Sequence, residues 1–399
     1  MLFLVQEKAK ENKNSPMNGR ERLQTTLDLE APDRVPFDLG ATPMTGIHVQ
    51  AYRNLLDHLG FDDLEVEVWD RIQQLARPHE RVLQELNVDV RGIIPNGPDD
   101  FQVQIEESER YFEFSDEWAI RWRMPKEGGY YYDMVSHPLS DAETPADIES
   151  YPWIDPRNPG RFKGIADRTQ HYAEKGYGVC HWSICPGISE THAWLRGYKN
   201  YYKDFYKHPH LAEAIMDKVV DIKIAYWKEV FAHTGKDVQV VVEADDLAGQ
   251  ERLLISPETY RQFIKPRHRR LFQKIKEMAP HVKVFLHSCG AVADLVPDFI
   301  EVGMDILNPV QKSATGMELQ GLKEEFGDQI TFWGGGVDTQ FVFGGKGTEA
   351  VREDVAASIA ALKPGGGFVF TPVHNTQADV PPENYMAMWD VLQKKAPHS

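Results

Sequence analysis

From residue 166 onward, apolar runs of strand length alternate with stretches of helical spacing, and no other feature narrows the fold as much. Gly178 to Cys185 reads as a strand, and Leu211, Ile215, Val219, Ile222 and Tyr226 follow at helical spacing after Pro209. Val238 to Glu243 is a valine run interrupted only by Gln239, the pattern of a strand covered on both faces. A helix over Pro257–Met278 follows, then strand Val282–Leu286, helix Ala291–Val302, strand Met304–Leu307 and helix Met317–Phe326. Strand Ile330–Trp333, helix Thr348–Leu362, strand Gly367–Phe370 and a helix from Pro382 close the series. An α/β fold is implied, and without an early glycine fingerprint a (β/α)8 barrel explains it better than a doubly wound sheet.

The first third is less regular. Gly19–Glu30 has helical character and stops at Ala31-Pro32-Asp33; Val35–Gly40 reads as a strand, and His48–Leu59 as a helix. Phe101, Val103 and Ile105 alternate with polar residues, and the aromatic stretch through Trp122 continues to Gly128-Gly129, so residues 101–133 predict an antiparallel β excursion. Residues 1–18 are read as a flexible extension and 19–396 as one barrel domain containing that excursion.

Composition removes several functions. Lys and Arg number 44 against 61 Asp and Glu, so the formal charge of -17 leaves no basic face for nucleic acid. No apolar run approaches the length of a membrane span. The three cysteines cannot staple a chain this long, and the opening residues lack a signal segment, so a cytoplasmic setting is expected.

In a barrel the loops after the strands build the site, and these loops carry the chain's polar chemistry. His287 and Cys289 stand two apart past an apolar strand, which points both to one side. Imidazole and thiolate suit zinc, while a buried cysteine beside a bonded histidine is the alternative. His374, past the last strand, is either a third ligand or an ordinary surface or capping histidine, and Cys180 and Cys185 compete as packing or ligating thiols. Glu243, Asp245 and Asp246 crowd one strand exit, so Glu243 or Asp246 is expected to serve metal or substrate and to handle a proton. Gln250, Trp182 and Asn375 are candidate substrate contacts. Gly335, Gly336 and Asp338 are either tight-turn residues or an opening for a planar cofactor.

Together these segments resemble the uroporphyrinogen decarboxylase superfamily, and within it the cobamide-dependent methyltransferase and O-demethylase branch. The resemblance rests on Arg20-Glu21-Arg22, Ala31 to Pro36, Asp246 to Gln250, Ser256-Pro257-Glu258, Phe285 to Gly290, Gly335 to Asp338 and Pro382-Glu383-Asn384. It implies a distorted (β/α)8 barrel and a zinc held by His287, Cys289 and a residue near the last strand, where this chain has His374 in place of a cysteine. It also implies a corrinoid carried by a separate corrinoid protein, since this chain has no Asp-x-His-x-x-Gly segment. The expected reaction moves a methyl group between a small methylated compound, a methoxylated aromatic first, and cobalt. A methylcobamide:thiol methyltransferase and a porphyrinogen decarboxylase are the alternatives. Against the latter, Gly40-Ala41-Thr42-Pro43-Met44 replaces the arginine-rich segment that holds a porphyrinogen's carboxylates. The chain's own assembly is left open, a homodimer included.

Overall fold

Seven parallel strands form one curved sheet, in the order Phe368–Val369, Thr331–Trp333, Ile306–Asn308, Lys283–His287, Val240–Ala244, Gly178–Trp182 and Val90–Ile93. The eighth position is filled by the backbone around Phe37, which bridges Phe370 on one side. On the other side its carbonyl accepts the Asp89 N–H at 2.9 Å, so the sheet closes into the expected barrel. The computed structural model describes residues 16–398. Residues 1–15 of the extension read over 1–18 lie outside the described residues, whereas Asn18 caps helix Gly19–Leu27 through a reciprocal bond with Glu21.

Strand alternation sorts side chains between the barrel interior and the surrounding helices. Cys180, Val240, Val242, Phe285, Ile306, Trp333 and Val369 form the interior cluster, and Leu23 and Leu27 of helix Gly19–Leu27 join it from the end where the strands begin. Their neighbours Val241, Val284, Leu286, Leu307 and Phe332 face outward into the larger core shared with the helices. The strands' exit end is therefore the one left for chemistry.

Several boundaries differ from expectation. The strand read to Cys185 ends at Trp182, because the chain turns there into helix Ile188–Arg196. Cys185 packs in the outer core with its carbonyl accepting from Lys223 Nζ at 3.0 Å. The helix read over Pro257–Met278 widens by one residue at Tyr260–Ile264, where Pro266 supplies no N–H for a regular turn. Strand Val90–Ile93 escaped the reading because Arg91 and Gly92 interrupt it. Arg91 leaves the strand to pair with Glu80 at 2.9 Å, and a Cβ at Gly92 would lie 2.1 Å from the Ala41 carbonyl oxygen. The predicted excursion is a four-stranded antiparallel sheet, Glu106–Glu107, Tyr111–Ser115, Arg121–Pro125 and Asp133–Met134, tied to helix Ile188–Arg196 by Trp122 against Trp194.

One carboxyl group is sealed inside the wall. Asp38 is fully buried, accepts from Trp333 Nε1 at 2.9 Å and Ala41 N–H at 3.0 Å, and burial still pushes it up to about 6. The folded chain thus holds a proton that the unfolded chain releases nearer 4, so stability falls as pH rises through this window. Between pH 4 and 7 the wild type is expected to lose about 2–3 kcal/mol relative to Asp38→Asn, whatever the variant's absolute stability. Urea unfolding at the two pH values checks it, and equal pH dependence would refute it.

Candidate metal centre

Strand Lys283–His287 directs Phe285 into the interior, and the two-residue period brings His287 inward above it. Cys289 follows on the turn, with its Sγ 3.3 Å from His287 Nε2. His374 arrives from the loop after strand Phe368–Val369, its ring centroid 5.4 Å from that of His287. The ligating atoms of His287, Cys289 and His374 all lie within 4.8 Å of one another. That turn is locked: a Cβ at Gly290 would sit 2.4 Å from the Gly249 carbonyl oxygen, and φ there is +89°.

The proton inventory of this group fits a cation. His287 Nδ1 bonds Asn308 Oδ1 at 2.5 Å and must donate there, so in the neutral ring the lone pair is on Nε2. Nε2 faces Cys289 Sγ and, at 3.6 Å, Asp246 Oδ1. Burial, with His287 beside it, pushes His374 down to about 3, so it too offers a lone pair. Burial, then Asp246 and Glu190, pushes the Cys289 thiol well above its ordinary range. A bare thiolate is disfavoured here, and a divalent cation among the lone pairs would reverse that balance. Two imidazoles and one thiolate are a donor set suited to zinc.

The three crowded carboxylates go separate ways. Asp246 turns to the centre, its Oδ1 accepting the Cys289 N–H at 2.8 Å while the side chain stays 40% exposed. Asp245 points outward and accepts from the N–H groups of Ser189 at 3.0 Å and Glu190 at 2.8 Å, capping helix Ile188–Arg196. Glu243 is not brought to the metal centre: it is buried against helix Pro209–Thr234, 2.7 Å from Lys223 Nζ and 2.6 Å from Trp227 Nε1.

The other expected site residues divide similarly. Trp182 is half-buried at the top of the interior cluster. Gln250 joins Gln311 at 2.7 Å, and Gln311 accepts the Gly290 N–H at 2.8 Å, so Gln250 supports the Cys289 turn. Asn375, next to His374, is buried and ties the Gly46 N–H at 2.8 Å to Gln73 at 2.9 Å. Gly335 and Gly336 are packed, since a Cβ at Gly336 would lie 2.6 Å from the Phe370 ring, and Asp338 accepts the N–H groups of Gln340 and Phe341 in its own turn. They shape the rim and do not join the His287, Cys289 and His374 group.

Sequence reasoning missed Glu190 and left Asn308 without a role. Glu190 lies in the first turn of helix Ile188–Arg196, just past a strand exit, the one signal that could have marked it. Burial, then Asp246 and Asp245, pushes its carboxyl well above the usual range.

A family model described as Uroporphyrinogen decarboxylase (URO-D) matches residues 131–395. The chain is 36% identical over 97 residues to a methylated-thiol–coenzyme M methyltransferase of Methanosarcina mazei, a stretch covering only 24% of either chain. To a uroporphyrinogen decarboxylase of Alkalilimnicola ehrlichii it is 24% identical over 284 residues, 69% of this chain and 71% of that one. A solved structure, a methyltransferase from Methanosarcina mazei, superposes with a TM-score of 0.61 over 95% of this chain and 99% of its own, at 18% identity, a likeness of fold. With the family model spanning more than half of it, the chain belongs to the uroporphyrinogen decarboxylase family.

Proposed function

We propose that this chain is a zinc-dependent methyltransferase that moves a methyl group between a small methylated compound and the cobalt of a corrinoid on a separate protein. The observation that carries the reading is the convergence of His287, Cys289 and His374 at the strands' exit end. His287 and His374 would hold zinc through neutral nitrogens and Cys289 through its thiolate. When bound, the metal supplies Lewis-acid polarisation of the heteroatom that carries or accepts the methyl group.

The chain's own residues supply the rest. Asp246, anchored through one oxygen to the Cys289 N–H, has its other oxygen free to orient a polar group at the mouth. Glu190, whose carboxyl burial and the neighbouring Asp246 push upward, would be the group to give a proton to a departing alkoxide or phenoxide. Trp182 offers an aromatic surface at the inner mouth. With one thiolate and two neutral imidazoles the metal keeps more positive character than with two thiolates, which favours ether activation and a methoxylated aromatic donor. A thiol as methyl partner is the second reading, favoured by the similarity to the methylated-thiol methyltransferase.

The test incubates zinc-loaded protein with a reduced corrinoid carrier protein and a panel of methyl ethers, quaternary amines and thiols while the cobalt spectrum is followed. Methylation of cobalt by an ether is expected. Cobalt demethylation only with a thiol would replace the first reading by the second. No response to any compound, with carbon dioxide released from a porphyrinogen, would overturn both.

A further inference from the structure

Strand register sets Asn308 directly beside His287 in the barrel wall, and Asn308 is almost completely buried. Its two amide atoms have different neighbours: Nδ2 lies 2.7 Å from the Trp333 carbonyl oxygen and Oδ1 lies 2.5 Å from His287 Nδ1. A backbone carbonyl can only accept, so the amide is oriented with Nδ2 toward Trp333 and Oδ1 toward the imidazole. Oδ1 has no proton to give, so His287 must donate from Nδ1.

Both partners of the amide are themselves fixed. The Asn308 carbonyl accepts the Ser288 N–H at 2.7 Å, which ties the backbone on either side of the pair. The Trp333 ring is held by Asp38 at 2.9 Å, and Gly334 at φ +108° follows it, where a Cβ would lie 3.2 Å from Asn308 Nδ2. The chain from Asp38 through Trp333 to Asn308 ends on the ring nitrogen remote from Cys289.

We infer that Asn308 is the positioning residue of the metal centre: by accepting the Nδ1 proton it selects the tautomer and ring orientation that present the His287 Nε2 lone pair beside Cys289 Sγ. A histidine ligand of unfixed tautomer would spend part of its population with a proton on the ligating nitrogen, and partners of this kind change metal affinity by about 10–100-fold. Because the acceptor is a neutral amide, the ring is oriented without a second negative charge, which leaves the cation more electrophilic than a carboxylate acceptor would.

This inference rests on the zinc reading above, and the test separates the two. Zinc affinity is measured by competition with a chromophoric chelator in the wild type, Asn308→Leu, which keeps the volume and removes the acceptor, and Asn308→Asp, which keeps an acceptor. Nitrogen-15 imidazole spectra of the metal-free chains report the His287 tautomer. The leucine variant is expected to bind zinc about 10–100-fold more weakly and to show mixed His287 tautomers. The aspartate variant is expected to retain the Nδ1–H tautomer and to bind far more tightly than the leucine variant. Should the leucine variant not fold, Asn308→Ala makes the same comparison. Equal zinc affinity and an unchanged tautomer in a folded acceptor-less variant, or equal weakening in leucine and aspartate variants, would overturn the inference. A wild type that binds no zinc would instead overturn the metal centre itself.

Discussion

Replacing Cys289 by alanine is expected to abolish stoichiometric zinc, weakening affinity by more than the roughly 100-fold typical of losing an outer partner, and to remove methyl transfer with it. The thiolate is the one anionic donor among the three, so its loss leaves two neutral imidazoles and a mouth carboxylate. Fold stability should change little, because Cys289 is only half-buried and its N–H bond to Asp246 survives the substitution. Zinc content by elemental analysis, alongside a thermal melt of the metal-free protein, checks both halves. Unchanged zinc in a folded variant would remove Cys289 from the centre. Wild-type zinc affinity should also fall as pH falls, since a thiol held well above its ordinary range must release its proton to bind.

The largest stability loss is expected at Lys223. Its ammonium is fully buried and meets Glu243 Oε2 at 2.7 Å, Ser183 Oγ at 2.9 Å and the Cys185 carbonyl at 3.0 Å. Lys223→Met would leave the Glu243 carboxylate uncompensated in the outer core, a loss of about 3–5 kcal/mol. Adding Glu243→Gln removes the stranded charge and should recover a substantial part of it. Urea unfolding of the two single variants and the double variant measures the coupling. Zinc content is expected to be unchanged in Glu243→Gln, because Glu243 lies on the strand's outward face. Zinc loss in a folded Glu243→Gln protein would return that residue to the metal centre.

What made parts of this molecule legible in one dimension was burial on both faces of a strand. Val240, Val241 and Val242 face alternately inward and outward, and both directions are apolar, so the run declares itself. Strand Val90–Ile93 gives no such run, because its inner face needs Gly92 for close backbone approach and its outer face carries an arginine paired through space. The same contrast governs the site. His287 and Cys289 were legible because two-residue spacing beyond a strand is itself geometry. Asn308 was not, since its meaning depends on which strand lies next to which and in what register. Glu243, Asp245 and Asp246 misled as a crowd because Glu243 and Asp245 turn outward, each to its own partner, and Asp246 alone faces the centre.

The unequal burial of the three sulfurs turns the protein into its own occupancy gauge. Cys180 and Cys185 are shut inside packed layers, while Cys289 alone of the three reaches partial exposure. A slow alkylating reagent applied to the folded chain at alkaline pH, where the raised Cys289 thiol ionises, therefore has one addressable sulfur, and that atom is the one a bound cation would cover. The fraction of chains modified at that single cysteine reads out directly the fraction of centres left empty, without a spectroscopic label or any assay of turnover.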